Sequence, residues 1–364
     1  ILKYFAKGLS RHFARPCQVQ VFVFPTNSFK RSLKHDHILT VLICSISIPL
    51  SMSLWIINLI YTRLKSSEGF DEPIVISPAR WLSACFIPIM IAMYGYRKKS
   101  INCSGALLGF IVGFVCTLSS YCFLGCLFAF FISSSKATKF RSHLKRKFEE
   151  DFKEGGQRNW VQVLCNGGMA VQLGILYLLD VGSMERPIDF DKDYRASWLS
   201  IGVLGAFACC NGDTWASELG SVLSKGDPVL ITTWKRVPKG TNGGVSLMGT
   251  IVSTLGGLVI GLVHYLTTIY FSDSYMLTYA PPQWPIIAFG AFAGFFGSLI
   301  DSYMGATVQY SGLDKEGKIV SHSSLSVIHI SGRNILDNHS VNLVTTVIMG
   351  ILLPTISKTL WPEN

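Results

Sequence analysis

Apolar runs of about twenty residues, separated by short polar segments, recur along most of the chain. A helical run of this length spans the roughly 30 Å hydrocarbon core of a bilayer. Because a backbone in lipid must satisfy its own hydrogen bonds, the runs predict transmembrane helices. They cover residues 38–61, 80–96, 103–132, 160–179, 197–211, 245–271, 284–305 and 341–361.

The run at 103–132 is too long for one span, because a single helix of that length would extend about 45 Å. We therefore predict two helices with a turn at residues 117–121. Charge supports this division: the basic loops at 97–99 and 133–159 belong on one side of the membrane, which requires an even number of crossings between them. The predicted fold class is all-α, a polytopic membrane helix bundle of about nine transmembrane helices.

Composition agrees with this fold: 49% of the 364 residues are hydrophobic and only 15% are charged. The net charge of +10 lies in short loops beside apolar runs, where it sets topology, so we predict no nucleic-acid partner. We expect residues 1–37 to be a basic, disordered N-terminal tail on the cytosolic side and residues 38–364 to be one membrane domain. Endoplasmic reticulum or another endomembrane is the expected location.

Residues 211–244 combine acidic, basic and glycine residues between two apolar runs. If the preceding helix continues to Leu223, then Asp213, Ser217 and Gly220 share one stripe, with Glu218 beside it. Carboxylates at a helix end suit a hard cation such as Mg2+. The alternative is an Asp that caps a helix, with a solvated Glu.

The second half of this segment suits phosphate. Lys235, Arg236 and Lys239 supply positive charge, and Gly243 and Gly244 allow a ligand to approach the backbone just before the next helix begins. Basic residues beside a span are also ordinary topology signals. Closer to the N-terminus, Arg158 lies just before the span at residues 160–179 and could add a phosphate contact.

Asp301 lies on a stripe of glycines at positions 290, 294, 297 and 305, which fall on one face of a helix. Small residues favour close helix packing, so Asp301 is predicted to point into the bundle. A buried carboxylate requires a cation or a basic partner. A structural salt bridge is therefore the alternative to a metal site shared with Asp213.

The motifs at residues 212–218, 235–244 and 297–307 resemble those of the transmembrane protein 19 family, and the similarity extends from about residue 40 to the end. That family shares its domain with the plant phytyl-phosphate kinase, which adds a second phosphate to an isoprenoid monophosphate. A more distant likeness joins dolichol and phytol kinases. The resemblance implies that Asp213 and Asp301 bind Mg2+ and that Lys235, Arg236 and Lys239 hold nucleotide phosphates.

The sequence therefore predicts a membrane lipid-phosphate kinase that transfers phosphate from CTP or ATP, with Mg2+, to an isoprenyl monophosphate drawn from the bilayer at the cytosolic face. The alternatives are a transporter or channel for a polar or anionic solute, and a non-catalytic membrane protein. The predicted residues are, as catalytic groups, Asp213, Asp301 and Lys235; as phosphate ligands, Arg236, Lys239, Gly243, Gly244, Arg158 and Ser217; and as metal ligands, Asp213, Asp301 and Glu218.

Overall fold

The computed structural model describes residues 26–66, 75–141, 156–324 and 326–362, with the backbone alone for residues 26–42, 65 and 66. Most of the predicted tail and most of the basic loop at 133–159 lie outside these ranges. The chain divides into two compact units, Ile1–Ile46 and Ser47–Asn364. The first helix crosses this boundary and starts at Thr26, well before the predicted start at residue 38.

Nine helices of 17 residues or more occur in the described ranges, and each corresponds to one predicted span. The all-α membrane fold is thus confirmed. The long helices are α1 (Thr26–Ser66), α2 (Pro78–Arg97), α3 (Cys103–Ser119), α4 (Tyr121–Lys139), α5 (Trp160–Asp180), α6 (Tyr194–Trp215), α8 (Leu247–Phe271), α10 (Pro285–Val308) and α11 (Asn338–Leu360). Two short helices, α7 (Ser221–Leu223) and α9 (Ser274–Tyr279), lie between them.

Six helical segments among the described residues are long and apolar enough to cross a membrane: Ile43–Leu64 within α1, then α4, α5, α8, α10 and α11. Helix α3 is apolar but shorter. Helix α6 is less apolar than these because glycine, alanine, serine and cysteine make up much of it.

The turn predicted inside residues 103–132 is confirmed at Ser120. Its backbone is extended (φ −158°, ψ 141°), which ends α3, and its hydroxyl accepts a hydrogen bond from the amide of Cys122 at the start of α4. Ser119 adds an interhelical hydrogen bond to the carbonyl of Gly174 on α5 (2.8 Å). Polar groups therefore stabilise the hairpin where an unbroken helix would overrun the bilayer.

Helix α6 is the centre of the bundle. Every residue from Leu199 to Gly212 is buried, and the helix packs against α4, α5, α8, α10 and α11. The small side chains of α6 permit this, since backbones can approach closely only where side chains are short.

Glycines also bring α8 and α10 together. A Cβ atom on Gly294 would lie 2.7 Å from Cα of Gly257, and one on Gly290 would lie 2.6 Å from Cα of Gly261. Such distances leave no room for a methyl group, so the predicted small-residue face of α10 does pack helix to helix.

Two small antiparallel sheets follow α7 and α10. The first pairs β1 (Val229–Leu230) with β2 (Gly244–Val245). The second has the order β4-β3-β5, with β3 Ser311–Leu313, β4 Ile319–Val320 and β5 Ile328–Ser331. Both lie in connections between long helices, at one end of the bundle.

Candidate phosphate and cation site

A cavity of about 850 Å3 lies at the end of the bundle where α6 and α10 finish and where α5, α8 and α11 begin. Both small sheets contribute to its wall. The volume falls within the range of roughly 300–1,000 Å3 that is usual for small-molecule sites. We call this end the cavity end.

Asp213 and Asp301 both line the cavity and are close enough to interact electrostatically. Asp213 stands on the last turn of α6 and Asp301 on the last two turns of α10. The glycine contacts explain the approach of their helices: a Cβ on Gly212 would lie 2.6 Å from Cα of Gly294, and one on Gly297 would lie 2.5 Å from Sγ of Cys209. The prediction that these carboxylates from separate helices face one space agrees with this placement.

The described hydrogen-bonding partners of the Asp301 carboxylate are neutral. Thr345 Oγ1 lies 3.5 Å from Oδ2 of Asp301. In the orientation that satisfies both of its amide atoms, Asn342 donates from Nδ2 to the same Oδ2 (3.2 Å) and to the carbonyl of Asn338 (3.0 Å). No Lys or Arg of the described ranges forms an ion pair with Asp301, so the structural salt bridge considered as its alternative is not found there.

The helix predicted to continue to Leu223 does so, but with a change of geometry. Residues Ala216–Gly220 form a π-helical turn between α6 and α7. Ser217 and Glu218 both reach the cavity from this turn, and the Ser217 hydroxyl donates to the carbonyls of Asp213 (3.1 Å) and Thr214 (3.2 Å). Such π turns are frequent at functional sites because they redirect the residues that follow.

The predicted three-carboxylate metal set needs correction. Within the described ranges no group of three His, Cys, Asp or Glu side chains comes close enough to hold an ion. Glu218 lies in the wall on the π turn, but it does not join Asp213 and Asp301 in such a group. Two carboxylates with neighbouring amide and hydroxyl oxygens still fit Mg2+, which commonly takes one or two carboxylates and completes its shell with water and phosphate oxygens.

The glycine turn at residues 239–244 forms another part of the wall. Gly243 has φ +80°, and a Cβ there would lie 2.6 Å from the backbone nitrogen of Ala306 on α10. Glycine is therefore required both for the backbone conformation and for close packing beside the turn that follows Asp301. Gly244 also lines the cavity and begins β2.

Lys239 lies in the cavity wall with a structural contact of its own. Its Nζ donates to the carbonyls of Ser224 (2.6 Å) and Ser221 (3.3 Å), at the end of α7. The ammonium group thereby satisfies carbonyls that the helix leaves free, a usual role for lysine at a helix C-terminus. Lys239 also lines the cavity.

Lys235 and Arg236 are exposed and lie outside the cavity wall, which corrects the prediction that they hold phosphate there and that Lys235 is catalytic. The physical reason is the pairing of β1 with β2. Because Val229 pairs with Val245 and also bridges Arg236, the chain doubles back between the two strands. The reversal, with Trp234 at φ +58°, puts the Lys235-Arg236 pair at the outer turn.

Arg158, predicted to add a phosphate contact, lines the cavity. Its Nη1 donates to Ser135 Oγ on α4 (2.9 Å), and its backbone is fixed by hydrogen bonds with Ser100 and Asn102. Burial lowers the pKa of Arg158 to about 10, which leaves the guanidinium charged at neutral pH. Within the described ranges this charge has a neutral side-chain partner, so it is available to an anion.

Three helix starts face the cavity, capped by Asn159 (α5), Ser246 (α8) and Asp337 (α11). Hydrogen bonds from Ser340, including one from its backbone amide (2.8 Å), lower the pKa of Asp337. Helix starts carry a partial positive charge that favours anions. Together with Arg158 they make this end of the bundle suited to phosphate.

The sequence pattern missed Asn166, Asp337 and Asn342, all of which line the cavity. A weak signal did exist on α11: Asn338, Asn342 and Thr345 recur at helical spacing in an otherwise apolar run. Polar stripes of this kind in membrane helices mark sites or interhelical contacts.

The opposite end of the bundle holds a paired buried charge. Arg80 Nη2 lies 2.8 Å from Glu185 Oε1 and 2.9 Å from Oε2, and the side chains are 9% and 8% exposed. The guanidinium also donates to the carbonyl of Thr117 and lies 3.7 Å from the ring centre of Tyr121. The Tyr121 amide donates to Glu185 Oε1 (2.7 Å).

Comparison with known proteins identifies the family. The model for integral membrane protein DUF92 matches residues 86–350. Protein PGR of Arabidopsis thaliana is 42% identical over 274 residues, covering 75% of this chain and 94% of that protein. An uncharacterized membrane protein of Methanocaldococcus jannaschii is 28% identical, covering 74% and 90%. Protein VTE6, chloroplastic, of Arabidopsis thaliana is 27% identical and covers 69% of each chain.

No solved structure matches the chain. The family match spans the helices that carry both aspartates and reaches beyond Asn342 on α11. The chain is therefore a multi-pass integral membrane protein that belongs to the DUF92 family.

Proposed function

We propose that this protein is a lipid-phosphate kinase of the transmembrane protein 19 type, which transfers a phosphoryl group from CTP or ATP to an isoprenyl monophosphate. The observation that carries the proposal is the pair of carboxylates, Asp213 and Asp301, in one cavity with a basic side chain and a glycine turn. The resemblance of the sequence to the plant phytyl-phosphate kinase supports the same substrate class.

The chemistry needs positioning and charge neutralisation more than a strong base. An oxygen of the lipid monophosphate attacks the γ-phosphorus of the nucleotide, and the bond from that phosphorus to the β–γ bridging oxygen breaks. The products are a lipid diphosphate and a nucleoside diphosphate. Arg158 and the helix starts attract the phosphates, and the glycine turn lets them approach the backbone.

Asp213 and Asp301 would hold Mg2+, which neutralises and orients phosphate oxygens when bound. Two carboxylates at close range in a partly buried site repel one another, so a divalent cation between them is favourable. Arg158, Ser217, Gly243 and Gly244 remain proposed phosphate ligands, with Lys239 at their edge.

We propose that the cavity end lies at the cytosolic face; a cytosolic N-terminus stays a prediction from the sequence. Lys and Arg gather at this end, in the connection after α2 and at the end of α4. Acidic residues dominate the connection between α5 and α6 at the other end. This asymmetry follows the rule that basic loops stay in the cytosol. An endomembrane such as the endoplasmic reticulum remains the proposed location.

A transporter for a polar or anionic solute is the second candidate. Transport requires a polar path through the middle of the bilayer. The middle of the bundle is instead filled by the buried small and apolar residues of α6, from Ile201 to Ala208. This packing favours an enzyme that works at one face.

The test incubates the purified full chain in lipid nanodiscs with Mg2+, labelled CTP or ATP, and isoprenyl monophosphates of several lengths. We expect label in a lipid diphosphate, and a loss of at least about a hundredfold in rate for Asp213→Asn or Asp301→Asn, comparable to removing a key charge-stabilising group. Asp180→Asn is the matched control, because Asp180 pairs with Arg195 at the opposite end.

Two results would contradict the proposal. Transfer that survives both substitutions would remove these carboxylates from the reaction. Flux of an anion across proteoliposomes, without transfer to any lipid phosphate, would support the transporter.

A further inference from the structure

The cavity has an apolar patch on the wall that the connection between α10 and α11 forms. Tyr310, Ile319 and Val320, from the β4-β3-β5 sheet and the residue that leads into it, line the cavity there. The rest of the lining is mostly polar or charged. We call these three residues the roof patch.

The roof patch is held in a defined position. Asn242 of the glycine turn donates from its backbone amide to Ser311 Oγ (3.0 Å) and from Nδ2 to the carbonyl of Tyr310 (3.2 Å). At the far end of the sheet, the Arg333 amide donates to the Thr307 carbonyl (3.0 Å) and the Leu336 amide to the Val308 carbonyl (3.0 Å). The sheet is therefore tied to the glycine turn and to the end of α10.

The Tyr310 ring has a preformed seat. A Cβ on Gly312 would lie 3.0 Å from ring carbon Cε1, so a glycine at that position lets the ring lie against the strand. The ring also packs on His329, with centroids 5.2 Å apart, and His329 Nε2 lies within hydrogen-bonding distance of the Gly332 carbonyl (2.8 Å). An ordered aromatic ring at a cavity wall offers a stacking surface at little entropic cost.

The order of groups along the wall suggests what this surface binds. Five residues after Asp301 on α10, Ala306 packs against Gly243 of the glycine turn. Asn242, which precedes Gly243, contacts Tyr310. The wall thus leads from the carboxylates, past the glycine turn, to the roof patch. A ligand with a polyphosphate at one end and a flat apolar group at the other matches that order.

We infer that the roof patch is the nucleobase subsite of the cavity, with Tyr310 as the stacking residue. The inference rests on the proposed function and names where its nucleotide lies. An isoprenyl chain is the other apolar candidate, but its tail is most stable in the bilayer. The roof patch belongs to the connection between α10 and α11, outside the spanning helices. Ser321, also in the lining, offers a hydroxyl to the edge of a base.

The test measures equilibrium binding of CTP, ATP and inorganic tripolyphosphate, each with Mg2+, to the full chain in nanodiscs. Tripolyphosphate carries the charge of a nucleotide without the base. We expect Tyr310→Ala to weaken nucleotide binding about tenfold, the order expected for loss of one aromatic stack, and to leave tripolyphosphate binding unchanged. Tyr310→Phe keeps the ring and should bind like the wild type.

Tyr275→Ala is the matched control, since Tyr275 is exposed on α9 at the other end of the bundle. The inference is overturned if Tyr310→Ala weakens nucleotide and tripolyphosphate equally, or if it raises KM for the isoprenyl phosphate alone, which would assign the patch to the lipid. The inference is also overturned if the wild type binds nucleotide and tripolyphosphate with equal affinity, a result that leaves the proposed kinase activity intact. Binding of no triphosphate of any kind overturns both.

Discussion

The two ends of the bundle both bury charge, and they do so in opposite ways. At one end Arg80 and Glu185 form a two-point ion pair, with Tyr121 packed over the guanidinium. At the cavity end two carboxyl groups, Asp213 and Asp301, lie near one another, and the described hydrogen-bonding partners of Asp301 are neutral amide and hydroxyl groups.

The comparison separates charge that serves the fold from charge that serves a ligand. A buried ion pair with its hydrogen bonds satisfied needs nothing from solution. Two neighbouring carboxylates are stable together only if a proton or a cation joins them. The first arrangement is complete in the folded chain, and the second is complete only with a bound partner.

The largest expected effect is at the paired end. Glu185→Ala leaves the Arg80 guanidinium buried without its counter-charge, and we expect a loss of about 3–5 kcal/mol in the free energy of unfolding. Unfolding in mixed detergent micelles measures it. The double variant Arg80→Met, Glu185→Met should recover most of the loss, because it removes both charges. A single variant that costs under about 1 kcal/mol would show that the pair is not structural.

The next effect is at the cavity end, where we expect Mg2+ to stabilise the wild type. At a concentration one hundred times its dissociation constant, a ligand that binds only the folded state adds about 2.7 kcal/mol. The double variant Asp213→Asn, Asp301→Asn should gain nothing from Mg2+, and Na+ at equal ionic strength serves as the control. Equal stabilisation of both proteins would mean that the ion binds elsewhere.

A smaller effect is a change in the free energy of unfolding that has opposite signs at the two ends of the bundle. In the presence of a chelator, Asp301→Asn removes repulsion between like charges, so we expect the free energy of unfolding to rise by about 1 kcal/mol. Asp180→Asn, which loses an exposed ion pair with Arg195, should change it by less than about 0.5 kcal/mol. The same unfolding measurement suffices. A clear loss of stability in Asp301→Asn would assign that carboxylate a structural role.

The smallest expected effect concerns Lys235 and Arg236. Because both side chains are exposed outside the cavity wall, Lys235→Gln and Arg236→Gln should each change kcat/KM for phosphoryl transfer by less than about twofold. Arg158→Gln is the matched comparison within the wall and should have a larger effect through KM. A large loss of kcat/KM in Lys235→Gln would show that Lys235 does take part in the reaction.

Much of the fold follows from local sequence. The lengths of the apolar runs and the parity of the basic loops predict the helices and the break confirmed at Ser120. The glycine spacing around Asp301 also predicts its face, because helical periodicity is a local property. In each case the information lies within a few turns of one helix.

The content of the site depends on relations that no local pattern contains. Lys235 precedes Gly243 of the glycine turn by only eight residues, yet the reversal between β1 and β2 places Lys235 outside the cavity wall. Conversely, Asn166 and Asn342 are 176 residues apart in sequence, and their side-chain amide groups lie 3.3 Å from one another. Proximity in sequence predicted a contact that does not form and gave no sign of one that does.

The central position of α6 has a consequence for how the protein is made. A helix of modest apolar character enters lipid poorly by itself, and α6 is enclosed by α8, α10 and α11, which are synthesised later. We therefore expect α6 to insert fully into the membrane only after most of the C-terminal half of the chain has been synthesised. A glycosylation reporter would show residues 194–215 inserting inefficiently in isolation and efficiently when α8 and α10 follow; efficient insertion of the isolated segment would contradict this order of assembly.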